Sequence, residues 1–199
     1  MERRARLPLL RRAALAAALP ALLGLAGEGR AAVYETREKA LVRVFPPPAR
    51  VERTTSFLTP EQKGAAEKAA EAPVESSVVT RYTGFGDAGA HLGTAYFDQH
   101  VVRTQPEVLM VVVAPDRSLR SVDVLAFAEP EDYLPREGWL KRLPGKRSEE
   151  GLFVGRALSH VTGATLTTRA IAASVRRVLA LDALLPRPVP SPAPTETKR

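Results

Sequence analysis

Between residues 76 and 127 the chain shows four strand-like segments in succession, and this order restricts its fold more than any other feature of the sequence. Each segment either alternates in polarity or side-chain size, or is a β-branched run too short for a helix. The segments are residues 78–82, 92–97, 108–113 and 122–127. No helical pattern lies between them, whereas neighbouring parallel strands need a crossover of a dozen or more residues. The sequence therefore predicts an α+β fold with an antiparallel sheet and excludes a dinucleotide-binding fold with a parallel sheet.

Two helices are expected to accompany this sheet. Thr59 and Gln62 form the pattern of a capping box with Pro60 at the first helical position, so one helix should precede the sheet and run to about Glu71. A C-terminal helix should open at the Thr-Gly-Ala-Thr motif of residues 162–165, because apolar residues follow it at helical spacing. Those residues are Ile171, Val175, Val178 and Leu179. Shorter helices are expected near residues 37–44, 137–143 and 149–158.

The first 31 residues have the pattern of a secretory signal. Six arginines and two glutamates give this segment +4 of the net charge of +7, and an apolar run from Ala13 to Ala26 leads to small residues. An uncleaved anchor is the alternative, although the run is shorter than the roughly 20 residues that a membrane span needs. The signal pattern predicts an exported protein. Because the rest of the chain is only mildly basic, we do not expect it to bind nucleic acid.

The remaining chain divides into three parts by composition. Residues 32–58 contain three consecutive prolines and read as an extended lead-in, residues 59–185 as the domain, and residues 186–199 as a proline-rich, disordered tail. The chain has no cysteine. Disulfides, thiol catalysis, iron–sulfur clusters and cysteine-attached haem are therefore excluded, so a redox role would need another cofactor.

A hydroxyl-rich turn at the predicted start of the last helix is the strongest candidate for a site. A helix N-terminus offers unpaired N–H groups and the positive end of the helix dipole, which suits a phosphate group. Gly163 and Ala164 leave room for close backbone approach, and Thr162, Thr165, Thr167 and Thr168 supply hydroxyls. The alternative, from the same residues, is that Thr162 or Thr165 simply caps the helix.

Residues 162–167, Thr-Gly-Ala-Thr-Leu-Thr, resemble the signature of the FMN-binding domain family. That family includes the small flavin-bearing subunits of ion-pumping NADH:quinone and ferredoxin:NAD oxidoreductases and many exported flavoproteins. The resemblance covers roughly residues 74–181 and implies that a flavin transferase esterifies the phosphate of FMN, taken from FAD, to Thr165. It also implies that the cofactor-binding residues are Thr162, Gly163, Ala164, Thr165, Leu166 and Thr167.

One position departs from the family pattern. The family usually has an aspartate three residues before the first Ser or Thr, thought to help the transferase recognise its target, and Ser159 stands there instead. The departure concerns covalent attachment and not FMN binding.

Other side chains give weaker indications. The three histidines, His91, His100 and His160, lack ligand spacing, so no metal site is expected. Five aromatic residues would suit stacking on a flavin ring, although aromatic residues in strands and at helix starts usually belong to the core. They are Tyr82, Phe85, Phe97, Tyr133 and Trp139.

The function that follows is that of an extracytoplasmic electron carrier or redox-complex component, with FMN held at Thr165 and no catalytic residues of its own. Its expected partners are the flavin transferase and a membrane or periplasmic redox protein. Two alternatives remain open at this point. One is a module that binds FMN or another phosphate ligand non-covalently, and the other is a flavin-free structural or assembly factor.

Overall fold

The computed structural model describes residues 32–148, 152–156 and 158–191. Six strands form one antiparallel sheet in the order β1-β6-β5-β4-β3-β2. The strands are β1 (Ala32–Val33), β2 (Arg50–Phe57), β3 (Val78–Phe85), β4 (His91–Val102), β5 (Gln105–Val113) and β6 (Leu119–Phe127). The helices are α1 (Arg37–Val44), α2 (Pro60–Ala70), α3 (Glu137–Leu140) and α4 (Thr165–Leu184). The predicted α+β class and the antiparallel sheet are confirmed.

Helix α1 lies on one face of the sheet because it joins the two outermost strands. β1 pairs with β6 at one edge and β2 pairs with β3 at the other, so the connection between them must cross the sheet. Thr36 caps α1 by accepting a hydrogen bond from the N–H of Lys39. The core on this face consists of Ala40, Val44, Phe45, Ala95, Met110, Val112 and Leu125.

Helices α2 and α4 cover the opposite face and enclose the larger core. Ile171, Val175, Val178 and Leu179 of α4 are all buried there, as their spacing predicts. The capping box at Thr59 and Gln62 is present at the start of α2. Arg176 links the two helices, since its Nε donates to the carbonyl of Ala70 at 2.7 Å. This cation also suits the negative end of the α2 dipole.

A pair of facing glycines makes room for Phe45 beside the sheet. Gly84 of β3 lies opposite Gly93 of β4, and the buried Phe45 ring occupies the space where a side chain at Gly84 would stand. Arg120 lies 5.8 Å from the centre of the same ring and donates to the carbonyl of Val44. Phe45 therefore fixes the end of α1 to the middle of the sheet.

Four charged side chains form a network between the sheet and α4. Arg177 pairs with Asp98 at 2.6 Å, and the imidazole of His100 lies 3.0 Å from Asp98 and 2.8 Å from the fully buried Glu107. Burial alone would lower the pKa of His100, but its hydrogen bonds and charge contacts with Asp98 and Glu107 outweigh burial and raise the pKa to about 9. Burial also opposes ionisation of Asp98, yet the hydrogen bonds from His100 and Arg177 hold its pKa well below the usual range.

Two of the predicted boundaries are corrected. The lead-in, residues 32–58, contributes β1, α1 and β2 to the fold, so the sheet begins before the boundary predicted at residue 59. The tail does not leave the domain at Pro186, because Ser191 donates to Glu52 of β2 at 3.1 Å and Arg81 donates to the Pro186 carbonyl at 2.7 Å. Backbone groups of the tail thus find charged partners on β2 and β3, which the proline count does not reveal.

Of the two short helices predicted after the sheet, the structure contains one. The helix expected near residues 137–143 is present as the shorter α3, whereas the described residues between 149 and 158 are not helical. The predicted signal, residues 1–31, and the end of the tail, residues 192–199, lie outside the described residues. Across the ranges that the structure covers, no helix has both the length and the apolarity to cross a membrane.

We expect Gly84→Ala to destabilise the protein by about 1–3 kcal/mol, because the added methyl group overlaps the Phe45 ring in a packed core. Gly64→Ala is the matched control. Gly64 lies exposed inside α2 with nothing near its would-be Cβ, so alanine there should stabilise by about 0.5–1 kcal/mol. Urea unfolding of both variants measures the difference. Equal changes in the free energy of unfolding for the two substitutions would contradict the packing of the Phe45 ring against Gly84.

We expect the stabilising effect of His100 to disappear at alkaline pH. Its folded-state pKa of about 9 exceeds the unfolded value near 6.5, so its contribution is complete below pH 6.5 and is lost as the pH rises through 9. His100→Gln should therefore cost about 2–3 kcal/mol more at pH 6 than at pH 10. Urea unfolding at both pH values checks this, with His160→Gln as control. A cost for His100→Gln that does not change with pH would contradict the charged network.

Candidate functional site

The Thr-Gly-Ala-Thr motif forms the turn that leads into α4 and the first residue of that helix. Thr165 is the first helical residue and Ala164 holds the N-cap position, where no side chain bonds to the helix backbone. The interpretation that Thr162 or Thr165 caps the helix is therefore wrong. Because the first N–H groups of a helix have no partner within it, the start of α4 keeps its capacity to bind an anion.

The turn needs glycine at its second position. Gly163 adopts φ +86°, a left-handed conformation that residues with a Cβ adopt at a cost. Gly163 is exposed, and a Cβ built there would meet only the carbonyl oxygen of Asp132, at 3.8 Å. The backbone of the turn is thus open to close approach by another group, as the sequence suggests.

The threonine hydroxyls of this region differ in availability. The Thr165 hydroxyl donates to the Val161 carbonyl at 3.2 Å from a half-buried side chain, which leaves its oxygen lone pairs free to accept. Thr167 is fully buried, and its hydroxyl has no hydrogen-bond partner within the described part of the chain. The Thr168 hydroxyl donates to the carbonyls of Ala164 and Thr165, so it is already occupied. Thr162 and Leu166 are exposed.

The segment of residues 129–142 packs beside the motif. The indole N–H of the buried Trp139 donates to the Ser159 carbonyl at 3.0 Å, and Arg142 donates to the Ser159 hydroxyl at 3.2 Å. The carbonyl of Asp132 faces Gly163, as described above. Ser159, which stands where the family has an aspartate, therefore lies within reach of a guanidinium group.

One of the five aromatic candidates lies close to the motif with an accessible surface. Tyr133, next to Asp132, is half-buried, and the guanidinium of Arg103 lies 3.8 Å from its ring centre. Tyr82 and Phe97 contact each other edge to face on the α1 side, and Phe85 and Trp139 are buried. The sequence offers no signal for the pairing of Arg103 with Tyr133, because 30 residues separate them.

The histidines do not form a metal site. His100 belongs to the network with Asp98 and Glu107, His91 contacts Thr94 at 3.2 Å, and His160 is exposed beside Gly155. Within the ranges that the structure covers, no three potential ligands are arranged to hold a metal ion. The network of His100 escaped the sequence analysis because its members come from β4, β5 and α4.

The chemistry of these residues suits a phosphate monoester. The uncapped helix start supplies N–H donors and a positive dipole, and Gly163 permits close approach. Thr165 offers a hydroxyl at the first helical position, and the unpartnered Thr167 hydroxyl adds an unsatisfied buried polar atom in the same turn. The residues that would hold the phosphate of FMN are therefore compatible with it.

Comparison with known protein families gives no match, and comparison with characterised proteins gives none either. Among solved structures, NqrC of Shewanella oneidensis is similar, with a TM-score of 0.48 and 16% sequence identity. The similarity covers 71% of this chain and 86% of that chain. At this degree of similarity, the function of the chain has to be argued from its own residues.

Proposed function

We propose that this protein is an FMN-binding electron-transfer protein and that the phosphate of FMN is esterified to Thr165. The observation that carries the proposal is the uncapped start of α4. There a Thr-Gly-Ala-Thr turn combines free N–H donors, a left-handed glycine and an available hydroxyl at the first helical position. A phosphate at this place gains the helix dipole, worth about 0.3–1 kcal/mol, in addition to its hydrogen bonds.

Three residues of the motif have direct roles in this proposal. Thr165 provides the oxygen that bonds to phosphorus, and Gly163 and Ala164 let the backbone approach the phosphate oxygens. Attachment by a flavin transferase forms the Oγ–P bond and breaks the pyrophosphate P–O bond of FAD. AMP leaves, and the hydroxyl proton is released. When bound, FMN supplies the electron acceptor and donor that the cysteine-free chain lacks.

Export would explain why FMN is attached to Thr165 by a covalent bond. We propose that residues 1–31 direct the chain out of the cytoplasm, where it meets the flavin transferase and a membrane or periplasmic redox partner. Outside the cytoplasm no pool of free FMN refills an empty site, so a tether prevents loss of the cofactor. The protein then acts as a carrier within a redox chain and not as an enzyme with a substrate of its own.

The alternatives predict different behaviour of the flavin. A non-covalent module releases FMN when the protein is denatured, and a structural or assembly factor carries no flavin at all. Covalent attachment leaves the flavin on the denatured chain. The three functions are therefore separated by one denaturing gel.

We expect a fluorescent flavin band on a denaturing gel when the full chain is produced together with a flavin transferase, and none when the transferase is omitted. Thr165→Val should abolish the band, because valine keeps the shape of threonine but has no nucleophilic oxygen. Thr54→Val is the matched control and should keep the band, since that exposed hydroxyl lies on β2, outside the motif. A band that survives Thr165→Val would contradict Thr165 as the attachment residue.

We expect Ser159→Asp to increase the fraction of chains that carry covalent flavin at limiting transferase. The substitution restores the acidic residue of the family pattern, and Arg142, already 3.2 Å from the Ser159 hydroxyl, can bind the new carboxylate. Ser159→Asn has the same size without the charge and should leave the fraction unchanged. Flavin absorbance per chain measures the effect. Equal labelling of wild type and Ser159→Asp would show that position 159 does not limit attachment.

A further inference from the structure

Arg103 and Tyr133 form a stacked pair outside the hydrophobic core. Arg103 belongs to the two-residue turn between β4 and β5, and its guanidinium carbon lies 3.8 Å from the centre of the Tyr133 ring. Arg103 is exposed and Tyr133 is half-buried, so the guanidinium remains accessible while it covers one side of the ring. A flat cation on an aromatic ring is a surface on which a further flat ring system can stack.

Two hydrogen bonds and one close approach of the backbone place the pair near the Thr-Gly-Ala-Thr motif. Glu129 accepts a hydrogen bond from the N–H of Thr104 at 3.2 Å, which fixes the β4–β5 turn to the segment that carries Tyr133. Asp132, the neighbour of Tyr133, faces Gly163 through its carbonyl, and Trp139 donates to the Ser159 carbonyl. Chain segments around residues 103, 133 and 163 therefore meet at one place.

The backbone of Arg103 is strained. Its φ is +52°, at a position of a two-residue hairpin where glycine or asparagine is usually found. A residue with a long side chain pays a conformational cost there, and such costs are concentrated at functional sites. The positive φ of Arg103 is a second feature of this position, separate from the stacking of its side chain.

The charge of Arg103 is not neutralised by a partner. Across the described ranges Arg103 forms no ion pair, whereas Arg43, Arg50 and Arg177 each bind a carboxylate. The accessible cation therefore keeps its capacity to interact with a group that carries or gains negative charge.

We propose that the Arg103–Tyr133 pair is the contact surface for the isoalloxazine ring of FMN and that the charge of Arg103 raises the reduction potential of the flavin. The inference rests on the proposed function, since it needs FMN at the motif. The ring system of FMN is flat and aromatic, which matches the guanidinium plane. Reduction by the proposed redox partner would add two electrons and, at neutral pH, one proton to a bound flavin, and the cation of Arg103 would stabilise the negative charge so gained.

The test uses the flavin-loaded full chain and compares the midpoint potentials of four variants with wild type. Arg103→Gln should favour the oxidised flavin by about tenfold, which is a fall of about 30 mV for a two-electron couple. Arg103→Lys keeps the charge and should remain closer to wild type than Arg103→Gln. Arg53→Gln is the matched control. It removes an exposed arginine of β2, which lies two strands away from β4 and does not stack on Tyr133, and it should leave the potential near the wild-type value. Tyr133→Leu removes the ring that positions the guanidinium and should lower the potential in the same direction as Arg103→Gln.

The outcomes separate this inference from the proposed function. Wild-type chain that carries no flavin in the presence of the transferase overturns both. Flavin-loaded wild type with an unchanged potential in Arg103→Gln, or an equal fall in Arg53→Gln, overturns only the role of Arg103. Thermal unfolding of each variant without flavin verifies that the fold is intact, so a lower potential in a folded Arg103→Gln supports the inference.

Discussion

The packing of α4 against the sheet determines where the motif stands. Ile171, Val175, Val178 and Leu179 are fully buried against β4, β5 and the segments that follow β6, and each contributes about 1.5–3 kcal/mol through the removal of apolar surface from water. Because the helix is rigid, fixing this apolar stripe also fixes its first residue, Thr165. A site at the start of a helix is only as well placed as the helix that carries it.

Charged groups refine this apolar contact. Arg177 and the Asp98–His100–Glu107 group set the rotation and register of α4 on the sheet, and Arg176 binds it to the end of α2. Buried charges are costly unless they are paired, so a displaced helix would leave several of them without partners. The apolar stripe alone tolerates sliding, whereas these pairs are satisfied in one arrangement. They serve the proposed FMN site by holding the helix in place.

Local patterns accounted for much of the fold. The capping box at Thr59, the β-branched run of β5 and the helical spacing of residues 171–179 each depend on neighbours in the chain, and the structure agrees with all three. Long-range features escaped the sequence. β2 pairs with β3 across α2, the tail meets Glu52, and Arg103 meets Tyr133, in each case because residues far apart in the chain contribute to one contact.

The sequence by itself determined the class of fold, the position of the last helix and the residues of the candidate motif. The reason is that the spacing of apolar residues and the signals for a helix start depend only on residues close together in the chain. Whether a threonine of that motif caps the helix or stays available was decided only by the tertiary structure. There Ala164 takes the cap position, and the neighbouring segment of Asp132 and Trp139 sets the path of the turn. The physical reason is that a cap bond competes with the packing of the whole turn, and packing depends on residues far away in the sequence.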